Sequence, residues 1–72
     1  MKELAGGRVL IEELAPYITR ITLNDPDRRN ALDLEMLGAL DAELKELAGS
    51  EIRALILTGA GRAFCAGFNI GR

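Results

Sequence analysis

Seventy-two residues with a net charge of −2 and 49% apolar side chains bound this chain to at most one small domain. The charge balance excludes a basic nucleic-acid binder, and no apolar run approaches the ~18 residues of a membrane-spanning helix. A lone cysteine, Cys65, and the lack of histidine leave no internal disulfide and no ordinary zinc site, although the apolar content matches a protein with a full core. A chain this short buries only ~60% of its unfolded surface, so that richness suggests part of something larger, or a chain that assembles with others. Met1 to Gly7 lacks the apolar core of a signal peptide. An unpaired cysteine suits a reducing, cytoplasmic setting.

In chain order, Val9 and Ile11 alternate with Leu10 and Glu12, so Val9–Leu14 suits a short strand with one drier face. Ala15-Pro16 interrupts it with a fixed φ that suits a turn. Tyr17–Leu23 is rich in β-branched and aromatic residues, with Thr19, Ile21 and Leu23 on one face, so residues 9–23 are expected to form a β-hairpin. Asn24 to Asn30 is a loop by composition. Asp33 stands as N-cap to a helix over 33–48, whose stripe would be Met36, Leu37, Leu40, Leu44, Leu47 and Ala48. Asp41 and Lys45 have the favourable acid-first spacing, and Gly49 is expected to end the helix in a left-handed conformation. Ile52–Thr58, with its unbroken Ala54-Leu55-Ile56-Leu57, reads as a strand dry on both faces, central in a parallel or mixed sheet. Hairpin, helix and strand together predict a right-handed βαβ crossover between 17–23 and 52–58. One helix covers only one face of that strand.

The strand runs into Thr58-Gly59-Ala60-Gly61-Arg62 and then Ala63-Phe64-Cys65-Ala66-Gly67-Phe68-Asn69-Ile70. Small residues after a buried strand let backbone N–H groups approach a ligand, and N–H groups aimed at developing negative charge form an oxyanion hole. Gly59-Ala60-Gly61-Arg62 lacks the third glycine of a dinucleotide fingerprint and the ending of a P-loop, so a tight turn is the better reading. Cys65 has no histidine to activate it and reads as a buried structural thiol. Glu12, Glu13, Glu35, Glu43 and Glu46 read as solvated surface charges.

Several blocks occur in a telling order: Ile21-Thr22-Leu23-Asn24-Asp25-Pro26, Asn30-Ala31-Leu32, the helix with Met36-Leu37, Leu55-Ile56-Leu57-Thr58-Gly59, and Ala63 to Gly67. Together, over about 9 to 70, they resemble the N-terminal part of the enoyl-CoA hydratase/isomerase (crotonase) family. The resemblance implies an α/β fold of the ClpP/crotonase type, a spiral of ββα units. Residues 1–72 would be the opening portion of one such domain: hairpin 9–23, helix 33–48 and strand 52–58. It implies an acyl-CoA substrate, no metal or redox cofactor, and a homotrimer or hexamer for the intact protein. By carry-over, the Phe68 backbone N–H is one oxyanion donor. Asp27, Arg28, Arg29, Ala31, Ala66, Gly67, Phe68, Asn69 and Ile70 are the candidate coenzyme A and acyl contacts.

The second donor and the two glutamates that hydratases use would lie beyond Arg72. Phe68 stands where hydratases commonly carry a small residue, and Asn69 where many members have an acid. That similarity extends to members acting on bulky or aromatic acyl groups, aryl-CoA dehalogenation among them. Taken alone, the chain would be a catalytically incomplete fragment or an interaction module.

Overall fold

The computed structural model describes residues 1–65 and Gly67. Its strands are β1 (Lys2–Leu4), β2 (Val9–Ala15), β3 (Ile18–Leu23) and β4 (Ala54–Gly59), with helix α1 (Leu34–Ala48) between β3 and β4. They make one sheet in the order β1-β2-β3-β4, antiparallel except for the parallel pair β3/β4. The expected hairpin and the strand–helix–parallel strand unit are both present, each boundary within two residues of its expected place.

The hairpin closes through Pro16 and Tyr17, with Ala15 paired to Ile18. Proline first and a positive φ second (70° at Tyr17) is the pattern of a type II turn. The Tyr17 carbonyl accepts from the Arg53 and Ala54 N–H groups at 2.7 and 3.2 Å, and the Arg53 guanidinium lies 5.5 Å from the Tyr17 ring centre. The hairpin turn therefore sets where β4 begins.

Register puts Val9 opposite Leu23 and Ile11 opposite Ile21, so one face of the hairpin is apolar. Met36 packs on it, and Val9, Ile21 and Met36 are fully buried. Leu4, Ala5, Leu32, Leu40 and Leu47 surround that core. Asp33 caps α1 as expected, accepting from the Met36 N–H at 2.9 Å, and Asp41 pairs with Lys45 at 3.0 Å.

Four expectations are corrected. Gly49 is not left-handed (φ −91°, ψ 3°). The helix instead tightens its last turn, Gly49 N–H to the Glu46 carbonyl and Ser50 N–H to the Leu47 carbonyl, with the Ser50 hydroxyl also donating to Leu47. The stripe facing the sheet runs through Met36, Leu40, Glu43 and Leu47, while Leu44 is exposed. Glu43 is thus buried, not solvated, because the Lys2 ammonium meets it at 2.7 Å. β4 lies at the sheet edge among the described residues, with Leu55, Ile56 and Leu57 about half exposed. Register places Leu55 and Leu57 on the helix side of the sheet, but α1 sits over β2 and the short 3-10 turn Ala5–Gly7. Besides those four, Lys2–Leu4 is a strand that its composition did not announce.

β1 pairs Lys2 with Ile11, so the Lys2 side chain leaves on the helix side and reaches Glu43. Its hydrogen bond to Glu43, opposed by desolvation, holds the ammonium above the usual lysine value of 10.5. A raised folded pKa means stability fully present below 10.5 and lost as pH rises through the folded value. Circular-dichroism melts should therefore be steady in this respect near neutrality and fall once pH passes 10.5. Lys2→Met should flatten that alkaline fall. It should also melt lower at neutral pH, because it strands a buried carboxylate, whereas Glu43→Met only returns Lys2 to water. Equal melting of the two variants would contradict this account.

Candidate functional site

β3 and β4 run parallel, with Leu23 opposite Gly59, so the chain leaves both strands at the same edge. Ligands of parallel sheets gather beyond such carboxyl ends. The first loop, Asn24–Asp33, is anchored by Asn24, whose N–H donates to Arg8 O at 2.7 Å and whose amide donates to Gly7 O at 2.9 Å. Pro26–Arg28 then makes a 3-10 turn. Arg29 and Asn30 follow at φ 54° and 59°, left-handed values that asparagine tolerates better than most residues.

Asn30 is fully buried, and its whole carboxamide is used. Oδ1 accepts from the Asp25 N–H at 2.7 Å, and Nδ2 donates to the carbonyls of Ala60 at 2.9 Å and Ala63 at 2.8 Å. The second loop is thereby stitched to the first. Ala60 N–H to Leu23 O and Leu32 N–H to Gly67 O, both 2.8 Å, add two further stitches. Two glycines make the approach possible. A Cβ at Gly59 would lie 2.4 Å from the Phe64 carbonyl oxygen and 2.8 Å from both Ala63 O and Asn30 Nδ2. Gly61 has φ +81°, and a Cβ there would meet Pro26 Cβ at 2.9 Å.

Beside the first loop lies an open polar cavity of about 640 Å³ lined by Arg8, Asp25, Asp27, Arg28, Asp33 and Glu35. Arg8 is already engaged: its guanidinium forks between Asp33 and Glu35, and its Nε donates to Ala5 O at 3.0 Å. The hydrogen bond to Asp33 holds the guanidinium above its usual value, against desolvation, so its charge is permanent and neutralised in place. Arg28 and Arg29 are exposed and form no ion pair among the described residues. Together with the exposed Arg62 of the second loop, they are cations of this edge available to an anionic ligand.

The sequence-derived site residues divide accordingly. Asp27 and Arg28 line the cavity, Arg29 is exposed beside it and Ala31 is half-buried. Gly67 (φ +105°) is exposed and returns to the first loop through Leu32. Phe68, Ala66, Asn69 and Ile70 lie outside the described residues. Cys65 is half-buried, not buried, and its Sγ accepts from the Gly67 N–H at 3.4 Å. Residue types alone did not single out the stitching role of Asn30 or the Arg8 fork. The available signal for Asn30 was a polar residue able to adopt positive φ, placed directly before the apolar pair Ala31-Leu32.

A ββα unit followed by a parallel strand, with two loops converging at one strand end, defines a class that direct comparison identifies. Residues 18–72 match the family model described as enoyl-CoA hydratase/isomerase, and the chain belongs to that family. Among its relatives is the probable enoyl-CoA hydratase EchA14 of Mycobacterium tuberculosis, 46% identical over 55 residues, which cover 75% of this chain and 22% of that protein. The crystal structure of an enoyl-CoA hydratase/isomerase from Xanthobacter autotrophicus Py2 superposes with a TM-score of 0.79 at 43% identity, over 89% of this chain and 24% of the other. That of an enoyl-CoA hydratase from Mycobacterium smegmatis gives 0.84 at 35% identity, over 89% and 25%. The fold is therefore that of the crotonase type, and the chain spans about a quarter of the length of these relatives.

Proposed function

We propose that residues 1–72 are the N-terminal part of a single crotonase-like domain in an enzyme that binds an acyl-CoA and stabilises a thioester enolate. The arrangement that carries this reading is the pair of stitched loops at the shared end of β3 and β4. The first loop carries the exposed cations Arg28 and Arg29 for the nucleotide phosphates, with Asp27 and Ala31 beside them. The second leads to Ala66, Gly67, Phe68, Asn69 and Ile70, which would line the acyl end. The Phe68 N–H is the proposed oxyanion donor. Enolate formation moves charge onto the thioester oxygen, so a fixed N–H there binds the transition state more tightly than the ground state. One such donor is worth about 3 kcal/mol.

Hydration or isomerisation of a 2-enoyl-CoA is the favoured reaction. The second donor, the general acid and the general base are assigned to the part of the protein beyond Arg72, so residues 1–72 alone are proposed to be inactive. The intact enzyme is proposed to be a cytoplasmic homotrimer or hexamer needing no cofactor besides the coenzyme A of its substrate. The phenylalanine at 68 favours a second reading within the same family, a bulky or aromatic acyl group with aryl-CoA dehalogenation as the reaction.

The test is turnover of crotonyl-CoA and of a chlorobenzoyl-CoA by the 72-residue chain and by a chimera. The chimera joins this chain to the remaining length of the Xanthobacter relative. We expect activity from the chimera alone. Turnover by the isolated chain would place the acid and base inside it and overturn the assignment. A folded chimera active on neither thioester would overturn the acyl-CoA reading.

A further inference from the structure

We propose that Asn30 is a positioning residue. Its carboxamide makes the two loops at the ends of β3 and β4 a single body, so that the second loop presents its backbone to the acyl end in one fixed path. This rests on the acyl-CoA reading above. Asn30 never touches substrate in this account; it acts through the carbonyls of Ala60 and Ala63.

Three observations converge. The side chain is fully buried in a loop otherwise exposed at Pro26, Asp27, Arg28 and Arg29. Every hydrogen-bonding position it needs is filled, one within its own loop and two across the gap. Gly59 has no room for a methyl group because Asn30 Nδ2 and two carbonyl oxygens of the second loop fill that space. A planar group with two N–H donors on one nitrogen is what two converging carbonyls require. Among residues of this size, asparagine offers that donor pair together with tolerance of φ 59°. The first loop does not depend on the tie for its own shape. Its backbone bonds Arg29 N–H to Pro26 O, Asn30 N–H to Asp25 O and Ala31 N–H to Arg28 O remain without the carboxamide. Loss of Asn30 should therefore release the second loop while leaving the first largely formed.

Two substitutions separate the tie from backbone strain. Asn30→Gly keeps the positive φ at no steric cost and removes the carboxamide. Asn30→Asp keeps the acceptor for the Asp25 N–H but turns an oxygen toward two carbonyl oxygens. Burial and those oxygens push that new carboxyl up, so lowering the pH protonates it and supplies one O–H donor to the second loop. In the 72-residue chain, exchange of the second-loop Ala60 amide, which donates to Leu23 O, and of the Leu32 amide, which donates to Gly67 O, should quicken at least tenfold in both variants at neutral pH, while α1 stays as protected as before. On lowering the pH, Asn30→Asp should regain protection and Asn30→Gly should not, after correction for intrinsic exchange. In the chimera, kcat should fall at least tenfold in both, with KM changed less than threefold, and the pH profile of Asn30→Asp alone should tilt upward toward acid.

Unchanged exchange in the second loop would overturn the tie. Faster exchange with unchanged kcat would overturn its role in catalysis. If the wild-type chimera folds but turns over no acyl-CoA, the acyl-CoA reading fails, and the exchange experiment still decides the tie.

Discussion

Gly59→Ala is expected to lower the melting temperature by roughly 4–24 °C and to displace the second loop. The added methyl has no free direction. It meets the Phe64 carbonyl oxygen at 2.4 Å, Ala63 O at 2.8 Å and Asn30 Nδ2 at 2.8 Å. Two of those atoms are backbone, and the third is held by its own hydrogen bonds, so none is the free end of a flexible side chain. Overpacking of this kind costs about 1–3 kcal/mol, and each kcal/mol moves the midpoint of a domain this small by about 4–8 °C. The loss should be accompanied by faster exchange of the Ala60 amide, whose partner is the Leu23 carbonyl. Gly38→Ala is the control: it lies in α1 with nothing within 4 Å, and alanine is the better helix former. A Gly59→Ala chain that melts like the wild type would mean that the second loop does not pass over Gly59 as described.

Met36→Ala should have the largest effect on stability. Met36 is fully buried, clustered with Val9, Ile11 and Ile21 and flanked by Leu32, Leu40 and Leu47. Truncation at such a site costs about 2–5 kcal/mol. The whole stability of a chain this size is only about 4–11 kcal/mol at ~0.05–0.15 kcal/mol per residue. The variant should show an early, broad thermal transition or none, read by far-UV circular dichroism. Leu34→Ala, on a side chain 78% exposed, should change stability by no more than about 0.5 kcal/mol. Similar melts for the two variants would place α1 on a different face from the one described.

Much of this fold was legible in the sequence because it is written in short-range terms. Strand alternation marked β2 and β3, proline marked the hairpin turn, and Asp33 marked the helix start. The order hairpin, helix, strand implied the parallel pairing of β3 with β4, whereas the dry central place read from the unalternating run at 54–57 is not what β4 has among the described residues. What failed were features decided by a distant neighbour. Glu43 looked solvated because local pattern cannot foresee that β1 brings Lys2 to it. β1 itself was illegible: three residues with two charges carry no strand signal until β2 offers an edge. Gly49 was expected to be left-handed on propensity, but Ser50 closes the helix with its hydroxyl instead. At the candidate site, Asp27, Arg28, Arg29 and Ala31 were proposed through resemblance to known motifs, and all four lie on the loop between β3 and α1. The residue that joins the two loops was not, because its partners are backbone carbonyls thirty and thirty-three positions away.

The stitching also bears on how this scaffold can be re-engineered. Exchanging loops between family members is one way to re-engineer such a scaffold, and the segment after β4 is one that could be transplanted. Here residues 60–63 are held by the Asn30 side chain and lie close against Pro26, both of which belong to a different stretch of sequence. A graft of the later segment alone would arrive without its template. Donor segments should be exchanged as a matched pair, the turn preceding α1 travelling with the turn following β4.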